Sequence, residues 1–177
     1  MSADTGVRAT RVLLMGMMAS GKSTVGRVLA DLTGWPVLDN DVLLQRSTGS
    51  TAVALYEEHG RERLRSAESD VLTLILSMPS PLVAGVPAGV VLEPRDRQRL
   101  RDGGHVVWVR TPVATLVRRV SKGSHRPFLS GDPATALQAM ADERYPLYES
   151  VAHQVLDMPG LSASDAAKQV VSALQQG

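Results

Sequence analysis

The feature that most constrains the fold of this chain is the stretch GMMASGKS at residues 16–23, which follows the compact apolar run RVLLMG at 11–16. The stretch matches the pattern G-x-x-x-x-G-K-[ST] in full, and residues 22–34 carry apolar side chains at helical spacing. A buried strand that runs through such a loop into a helix directs backbone N–H groups and the positive end of the helix dipole toward one point. The sequence therefore predicts a loop that holds phosphate groups, and we call residues 16–23 the phosphate loop.

The phosphate loop also supplies side chains for nucleotide chemistry. Lys22 is predicted to reach the terminal phosphates as a catalytic residue, and the Ser23 hydroxyl is predicted to ligate magnesium. The sequence contains no N-K-x-D guanine-recognition motif, and 177 residues are too few for a large ATPase module. These observations favour a small kinase that uses ATP and Mg²⁺. The residues predicted to contact the nucleotide within the loop are Ala19, Ser20, Gly21, Lys22, Ser23 and Thr24.

Short apolar runs alternate with helical patterns along the whole chain. Five strands are predicted, at 11–16, 36–41, 81–85, 105–110 and 153–157. This alternation predicts one α/β domain over 1–177, a three-layer αβα fold of the P-loop NTPase type around a five-stranded parallel sheet. Within it, residues 42–78 are predicted to form two or three substrate-binding helices with a break near 57–61. The polar stretch 122–133 is predicted to be a mobile lid, and the helix at 134–152 is expected to kink or break at Pro146.

Composition excludes several other classes of protein. The formal net charge is +1, 44% of the residues are hydrophobic, and cysteine is absent. These values are typical of a globular protein in a reducing cytoplasm, without a disulfide framework or an electrostatic drive toward nucleic acid or membranes. No apolar run reaches the roughly 18 residues that a membrane span needs. We therefore predict a cytoplasmic monomer whose partner is a small-molecule substrate.

The acidic stretch LDND at 38–41 follows the second predicted strand. The carboxyl ends of parallel strands face the ligand crevice, and two aspartates one residue apart on an extended backbone point the same way. Asp39 is predicted to hold magnesium waters, and Asp41 to accept a hydrogen bond from an acceptor hydroxyl as a catalytic residue. The competing interpretation is a helix cap at Asn40 or Asp41.

Arginines at three further positions are candidate site residues. Arg65 and Glu68 stand three apart on a helix face, so either Glu68 aims the arginine into the crevice or the two form a solvated ion pair. Arg126 lies inside the predicted lid, from which it is expected to close onto phosphates. Arg144 lies on the helix after the lid, where the alternative is a surface arginine.

The order of these motifs resembles that of the shikimate kinase family over nearly the whole chain. GMMASGKSTVGRVLA is similar to the family's phosphate loop and first helix, and LDND to its D-x-D. LRSAES resembles its F-R-x-x-E helix, with Leu64 for the usual phenylalanine. HRPFL is similar to its lid motif R-P-L-L, and ERYPLY to its R-x-x-x-Y helix.

The resemblance implies roles for individual residues. Arg65 and Arg144 are expected to clamp the shikimate carboxylate, and Tyr56 to lie against the substrate ring. Arg126 is expected to close onto the ATP phosphates as a catalytic residue, and Arg119 to lie along the adenine. The resemblance also implies that Asp39 supports magnesium and that Asp41 binds and orients the acceptor hydroxyl. The implied reaction is transfer of the γ-phosphoryl group of ATP to a ring hydroxyl, which gives shikimate 3-phosphate and ADP on the route to chorismate and the aromatic amino acids.

The stretch AGVPAGV at 84–90 departs from the resemblance, because the family usually has a G-G-G loop there. Gly89 is the glycine of this stretch expected to approach the substrate, while Val86 and Pro87 are expected to narrow the approach to the ring. Ala19 stands where the family often has glycine, and Arg61 where glutamate is common. These departures leave open a related kinase for another carboxylated cyclitol or sugar acid, such as aminoshikimate or gluconate.

A third hypothesis comes from another class of protein, a phosphate-loop module that binds nucleotide without turnover. Five intact positions argue against it: Lys22, Ser23, Asp39, Asp41 and Arg126.

Overall fold

The computed structural model describes residues 10–121 and 131–176. Its five strands are β1 (Arg11–Met15), β2 (Val37–Leu38), β3 (Leu82–Gly85), β4 (His105–Arg110) and β5 (Gln154–Asp157). The helices are α1 (Lys22–Thr33), α2 (Asn40–Thr48), α3 (Ala52–Ser77), α4 (Pro94–Gly103), α5 (Val113–Val120), α6 (Pro133–Val151) and α7 (Ala163–Gln176), and a short 3₁₀ turn covers Val90–Leu92.

The strands form one parallel sheet in the order β2-β3-β1-β4-β5. The central strand β1 is buried on both faces, as its continuous apolar sequence predicts. Leu13 belongs to a core shared with residues of α2–α6, whereas Leu14 belongs to a second core shared with α1 and α7. Helices therefore cover both faces of the sheet, and the predicted three-layer αβα fold is confirmed.

The parallel arrangement brings the predicted site to one edge of the sheet. The phosphate loop follows β1, Asp39 follows β2, and the stretch 84–90 includes the end of β3. Since β1, β2 and β3 are neighbours, their carboxyl ends open onto the same crevice. The fold thus places the three predicted segments side by side.

The predicted strand at 36–41 is too long. β2 has only two residues, because Asp39 caps α2: its Oδ1 accepts the N–H groups of Asp41 at 2.9 Å and Val42 at 3.4 Å. The competing interpretation of a helix cap at Asn40 or Asp41 is wrong by one or two residues, since the cap is Asp39. Asp39 and Asp41 therefore do not share an extended backbone, since Asp41 lies in the first turn of α2.

The predicted break near 57–61 is confirmed, because Gly60 has φ 80° and ψ −177° inside α3. The predicted break at Pro146 is wrong, since α6 runs without interruption through it. Pro146 is exposed, while Arg144 and Tyr148 on either side are buried. Packing on that buried face holds the helix together across the backbone hydrogen bond that proline cannot donate.

Most of the predicted lid, including Arg126, lies outside the described residues. Its last three residues, 131–133, are described. Two of them form the start of α6: Asp132 accepts the N–H of Thr135 at 3.0 Å as the cap, and Pro133 is the first helical residue. Within residues 10–121 and 131–176, no helix has the length and apolar character needed to cross a membrane.

Several arginines donate to main-chain oxygens of other segments. Arg11 on β1 donates to the carbonyl of Met78 at 2.7 Å, just beyond the end of α3. Two arginines of α4 do the same: Arg97 donates to the carbonyl of Val91 at 2.6 Å, and Arg101 to that of Ser150 at 2.8 Å. These contacts satisfy carbonyl groups that helix ends leave without an intrahelical partner.

Candidate active site

A cavity of about 1240 Å³ lies at the carboxyl ends of the strands. Its wall is made by the phosphate loop, α2, α3, α6 and the connection between β5 and α7. This volume exceeds the roughly 300–1,000 Å³ that is usual for one small ligand. The cavity can therefore hold a nucleotide and a second molecule together.

The phosphate loop is shaped by close backbone packing. A Cβ on Gly16, which has φ 151°, would lie 2.8 Å from the carbonyl oxygen of Val109, so the position requires glycine. Ala19 has φ 60°, the left-handed conformation in which the family's usual glycine would be unstrained. Thr111 secures the loop from β4, since its hydroxyl donates to the Ser20 carbonyl at 2.9 Å. Residues 18–23 of the loop line the cavity.

Lys22 folds back over the phosphate loop. Its Nζ donates to the carbonyls of Gly16 at 2.8 Å and Met17 at 3.0 Å. Desolvation lowers the pKa of Lys22 to about 8, although the carboxylates of Asp41 and Asp39 oppose this shift. Phosphate oxygens can therefore replace these two carbonyl oxygens as hydrogen-bond acceptors for the ammonium group.

The predicted magnesium ligands lie together. The Ser23 hydroxyl donates to Oδ2 of Asp39 at 3.1 Å, while the other oxygen of Asp39 caps α2. A hydroxyl and a carboxylate oxygen are the hard ligands that Mg²⁺ prefers, so these residues fit the ion. Asp41 lines the cavity beside them, and its Oδ1 accepts Nδ2 of Asn40 at 3.0 Å.

Arg119 approaches the phosphate loop from α5. Its Nη1 donates to the carbonyl of Ala19 at 2.8 Å, and its guanidinium lies next to Gly21. Thr24 also lines the cavity, in the first turn of α1. The structure therefore brings together the predicted nucleotide residues that it describes.

The opposite end of the cavity contains two arginines around one buried carboxylate. Nη1 of Arg65 is hydrogen-bonded to Oε2 of Glu68, and Arg144 is only 4% exposed. Burial raises the pKa of the Glu68 carboxyl above its usual value, and the charges of Arg65 and Arg144 oppose that rise. Among the described side chains, the Nε atoms of both arginines are buried without a hydrogen-bond partner. This end of the cavity therefore presents excess positive charge and unused donors, which suit a carboxylate ligand.

The stretch 84–90 contacts Arg65 and Glu68 through Gly89. Val86 is fully buried in the core and donates its N–H to the carbonyl of Leu14 at 2.9 Å. Pro87 is buried as well, and Ala88 is the residue of the stretch that lines the cavity. The expectation that Val86 and Pro87 narrow the approach is wrong, because both residues are buried and neither lines the described cavity. Gly89 lies against Arg65 and Glu68, and a Cβ there would overlap the guanidinium.

Comparisons with known proteins agree with this geometry. The family model described as shikimate kinase matches residues 18–175. A shikimate kinase from Halorhodospira halophila is 36% identical over 167 residues, which cover 94% of each chain. The chain belongs to the shikimate kinase family. A shikimate kinase from Acinetobacter baumannii, solved in complex with shikimate, superimposes with a TM-score of 0.88 at 32% identity and covers 94% of this chain and 93% of its own.

Sequence reasoning did not find every residue of this shikimate kinase family site. Met158 and Leu161, in the connection between β5 and α7, line the cavity. Their position in the sequence could have identified them, because they follow the last strand at the carboxyl edge of the sheet. Arg61, where the family commonly has glutamate, lines the cavity one helical turn before Arg65.

The lowered pKa of Lys22 predicts how nucleotide binding depends on pH. Phosphate oxygens favour the ammonium form, so binding raises the pKa of Lys22 and takes up a proton when the free group is neutral. ATP affinity should therefore be nearly constant below pH 8 and should fall by up to about tenfold per pH unit above it. Isothermal titration calorimetry at pH 7, 8 and 9 measures this. The Lys22→Met variant should lack the dependence, and a wild-type affinity equal at pH 7 and 9 would contradict the assignment.

Proposed function

We infer that this chain transfers the γ-phosphoryl group of ATP to a ring hydroxyl of shikimate, giving shikimate 3-phosphate and ADP. The observation that carries this inference is the cavity itself, which joins a phosphate loop to two buried arginines with unused Nε donors. One end suits a nucleotide and the other suits a carboxylate, so a phosphate donor and a carboxylated acceptor fit side by side. Membership of the shikimate kinase family identifies the acceptor.

The acceptor carboxylate is proposed to lie between Arg65 and Arg144. The single carboxylate of Glu68 leaves one positive charge uncompensated there, and a second carboxylate restores neutrality. Tyr56 lines the same end and offers an aromatic wall for the ring. Gly89 contributes by leaving room for the Arg65 guanidinium.

The reacting hydroxyl is proposed to point toward Asp41. This carboxylate lines the cavity near the phosphate loop and lies close enough to Lys22 to influence its pKa. From there it can accept the hydroxyl hydrogen and orient the oxygen toward the γ-phosphorus. Ser23 and Asp39 are proposed to hold Mg²⁺, which when bound neutralises charge on the phosphates.

The nucleotide is proposed to occupy the other end of the cavity. The loop residues Ala19, Ser20, Gly21 and Thr24 surround its phosphates, with Lys22 on the terminal ones. Arg119 and the apolar pair Met158 and Leu161 flank the proposed adenine position. Arg126 is proposed from its sequence motif alone to close onto the phosphates. In this scheme the chain acts by positioning and charge neutralisation, without a covalent intermediate.

An ADP-release assay with several acceptors tests the function. Shikimate, aminoshikimate, quinate and gluconate should be compared at millimolar concentration with MgATP. We expect shikimate to give the highest kcat/KM. Turnover with aminoshikimate or gluconate but not with shikimate would favour the alternative kinase, and ATP binding without turnover of any acceptor would favour a binding module.

A single kinase domain, a monomeric state and a cytoplasmic location complete the proposal. The described cavity contains residues for both ends of the proposed site within this one chain. The absence of cysteine suits a reducing compartment.

Gly89 provides a test of the acceptor end. Replacing Gly89 with alanine should raise the KM for shikimate at least about tenfold while the KM for ATP changes less than twofold, because the new Cβ displaces the Arg65 guanidinium. Steady-state kinetics with either substrate varied measures both constants. The Gly34→Ala variant is the control, because it adds a Cβ at the C-cap of α1, where no atom lies within 4 Å. An unchanged KM for shikimate in the Gly89→Ala variant would show that the position of Arg65 does not affect binding of the acceptor.

A further inference from the structure

One peptide unit, between Ala88 and Gly89, is held from both sides. Its carbonyl oxygen accepts the Tyr148 hydroxyl of α6 at 2.8 Å. Its N–H donates to the carboxylate of Glu68 on α3. The C=O and N–H of a trans peptide point in opposite directions, so this unit lies between the two helices and is bonded to each.

Each partner of this peptide also contacts one of the two arginines. Glu68 is hydrogen-bonded to Arg65, and the Tyr148 hydroxyl lies within hydrogen-bonding reach of Arg144. Tyr148 is fully buried, and burial raises the pKa of its phenol well above the usual value, so it remains a neutral donor. The contacts therefore run from Arg65 through Glu68, the peptide and Tyr148 to Arg144.

We propose that Tyr148 is a positioning residue for the acceptor and that the 88–89 peptide couples the two arginines into one clamp. The proposal rests on the function inferred above, since it concerns how the acceptor carboxylate is held. The proposal also assigns a role to the stretch 84–90. The backbone of this stretch holds the two arginines in place, whereas the family's usual glycine-rich loop would be free to approach the substrate ring. Displacement of either arginine is then transmitted to the other through a single rigid amide.

Tyr148 also packs in an aromatic cluster, so its hydroxyl must be tested apart from its ring. The ring lies 5.7 Å from that of Trp108 and 6.3 Å from that of Tyr145. Tyr148→Phe keeps this packing and removes only the hydroxyl. Tyr145→Phe is the matched control, because Tyr145 lies one turn away in the same cluster and donates instead to the carbonyl of Thr111 at 2.7 Å.

We expect Tyr148→Phe to raise the KM for shikimate about tenfold, as expected for the loss of one hydrogen bond near a charged group. The KM for ATP should stay within twofold, which also reports that the variant is folded. Tyr145→Phe should leave the KM for shikimate within twofold. Equal shikimate KM values for wild type and Tyr148→Phe would overturn the proposal, as would equal rises in both phenylalanine variants.

A double-mutant cycle tests the coupling. Glu68→Gln weakens the contact on the other side of the same peptide, and it alone should raise the KM for shikimate. If the peptide couples the arginines, the double variant should show a smaller KM increase than the product of the single ones. A multiplicative increase would overturn the proposal. No effect of Glu68→Gln on the KM for shikimate would also overturn it, and that variant can be measured even if Tyr148→Phe does not fold.

The wild-type chain is assayed first, which separates the two inferences. No wild-type turnover of shikimate would refute the proposed function and, with it, the clamp. Wild-type turnover with an unaffected Tyr148→Phe variant would refute the clamp alone.

Discussion

Replacing Lys22 with methionine should lower kcat about a thousandfold or more with any acceptor. The methionine side chain matches the length of lysine but cannot donate to phosphate oxygens or offset the charge that develops on the transferred group. Among the described residues, the ammonium group bonds only to the carbonyls of Gly16 and Met17, so its loss should leave the loop folded. The ADP-release assay measures the effect.

The control for this prediction is Lys168→Met. Lys168 lies on α7, where it is largely exposed and pairs with Asp165 at 3.6 Å. That variant should keep wild-type kcat and KM values. If Lys22→Met retained a tenth of the wild-type kcat, Lys22 would not be a catalytic residue.

Replacing Arg144 or Arg65 with alanine should raise the KM for shikimate about a hundredfold and the KM for ATP less than threefold. Each variant removes a guanidinium from the carboxylate site and leaves Glu68 with one positive neighbour, so the site loses the uncompensated positive charge that attracts the acceptor anion. Truncating one member of such a buried charged set typically costs 2–5 kcal/mol or more, and about 2.7 kcal/mol corresponds to a hundredfold change.

Two variants make this second prediction specific. Arg63→Ala removes an exposed arginine of the same helix that does not line the described cavity, and it should leave both KM values unchanged. Arg65→Lys keeps the charge but loses the forked geometry, so its shikimate KM should be intermediate. Equal increases in the KM values for shikimate and ATP would contradict the assignment of Arg65 and Arg144 to the acceptor.

Local patterns in the sequence were sufficient to predict the sheet and the phosphate loop. The apolar run of β1, the glycines at 16 and 21 and the helical spacing of α1 each reflect forces that act over a few residues. The pair Arg65 and Glu68 was predictable for the same reason, since three residues along a helix bring two side chains together.

Features that depend on distant contacts could not be read from the sequence. Pro146 was expected to interrupt a helix, but the buried face of α6 overrides its local preference. Gly89 was assigned to the substrate, whereas its neighbours are Arg65 and Glu68, about twenty residues earlier in the chain. The burial of Arg144 and the contact of Tyr148 with Ala88 also arise only when α6 packs against the 3₁₀ turn and its neighbouring elements.

The arginines that bind main-chain oxygens change how the electrostatics of this chain should be understood. Hydrogen bonds to carbonyl groups of other segments occupy donors of three arginines, Arg11, Arg97 and Arg101. These donors satisfy carbonyl groups at helix ends. These three arginines therefore contribute to cohesion between elements. The described cavity is lined by five cationic side chains and three carboxylates, so its lining has a net positive charge: Lys22, Arg61, Arg65, Arg119 and Arg144 against Asp41, Glu68 and Glu143. A chain with a formal charge of only +1 can thus attract two anionic ligands to one small region.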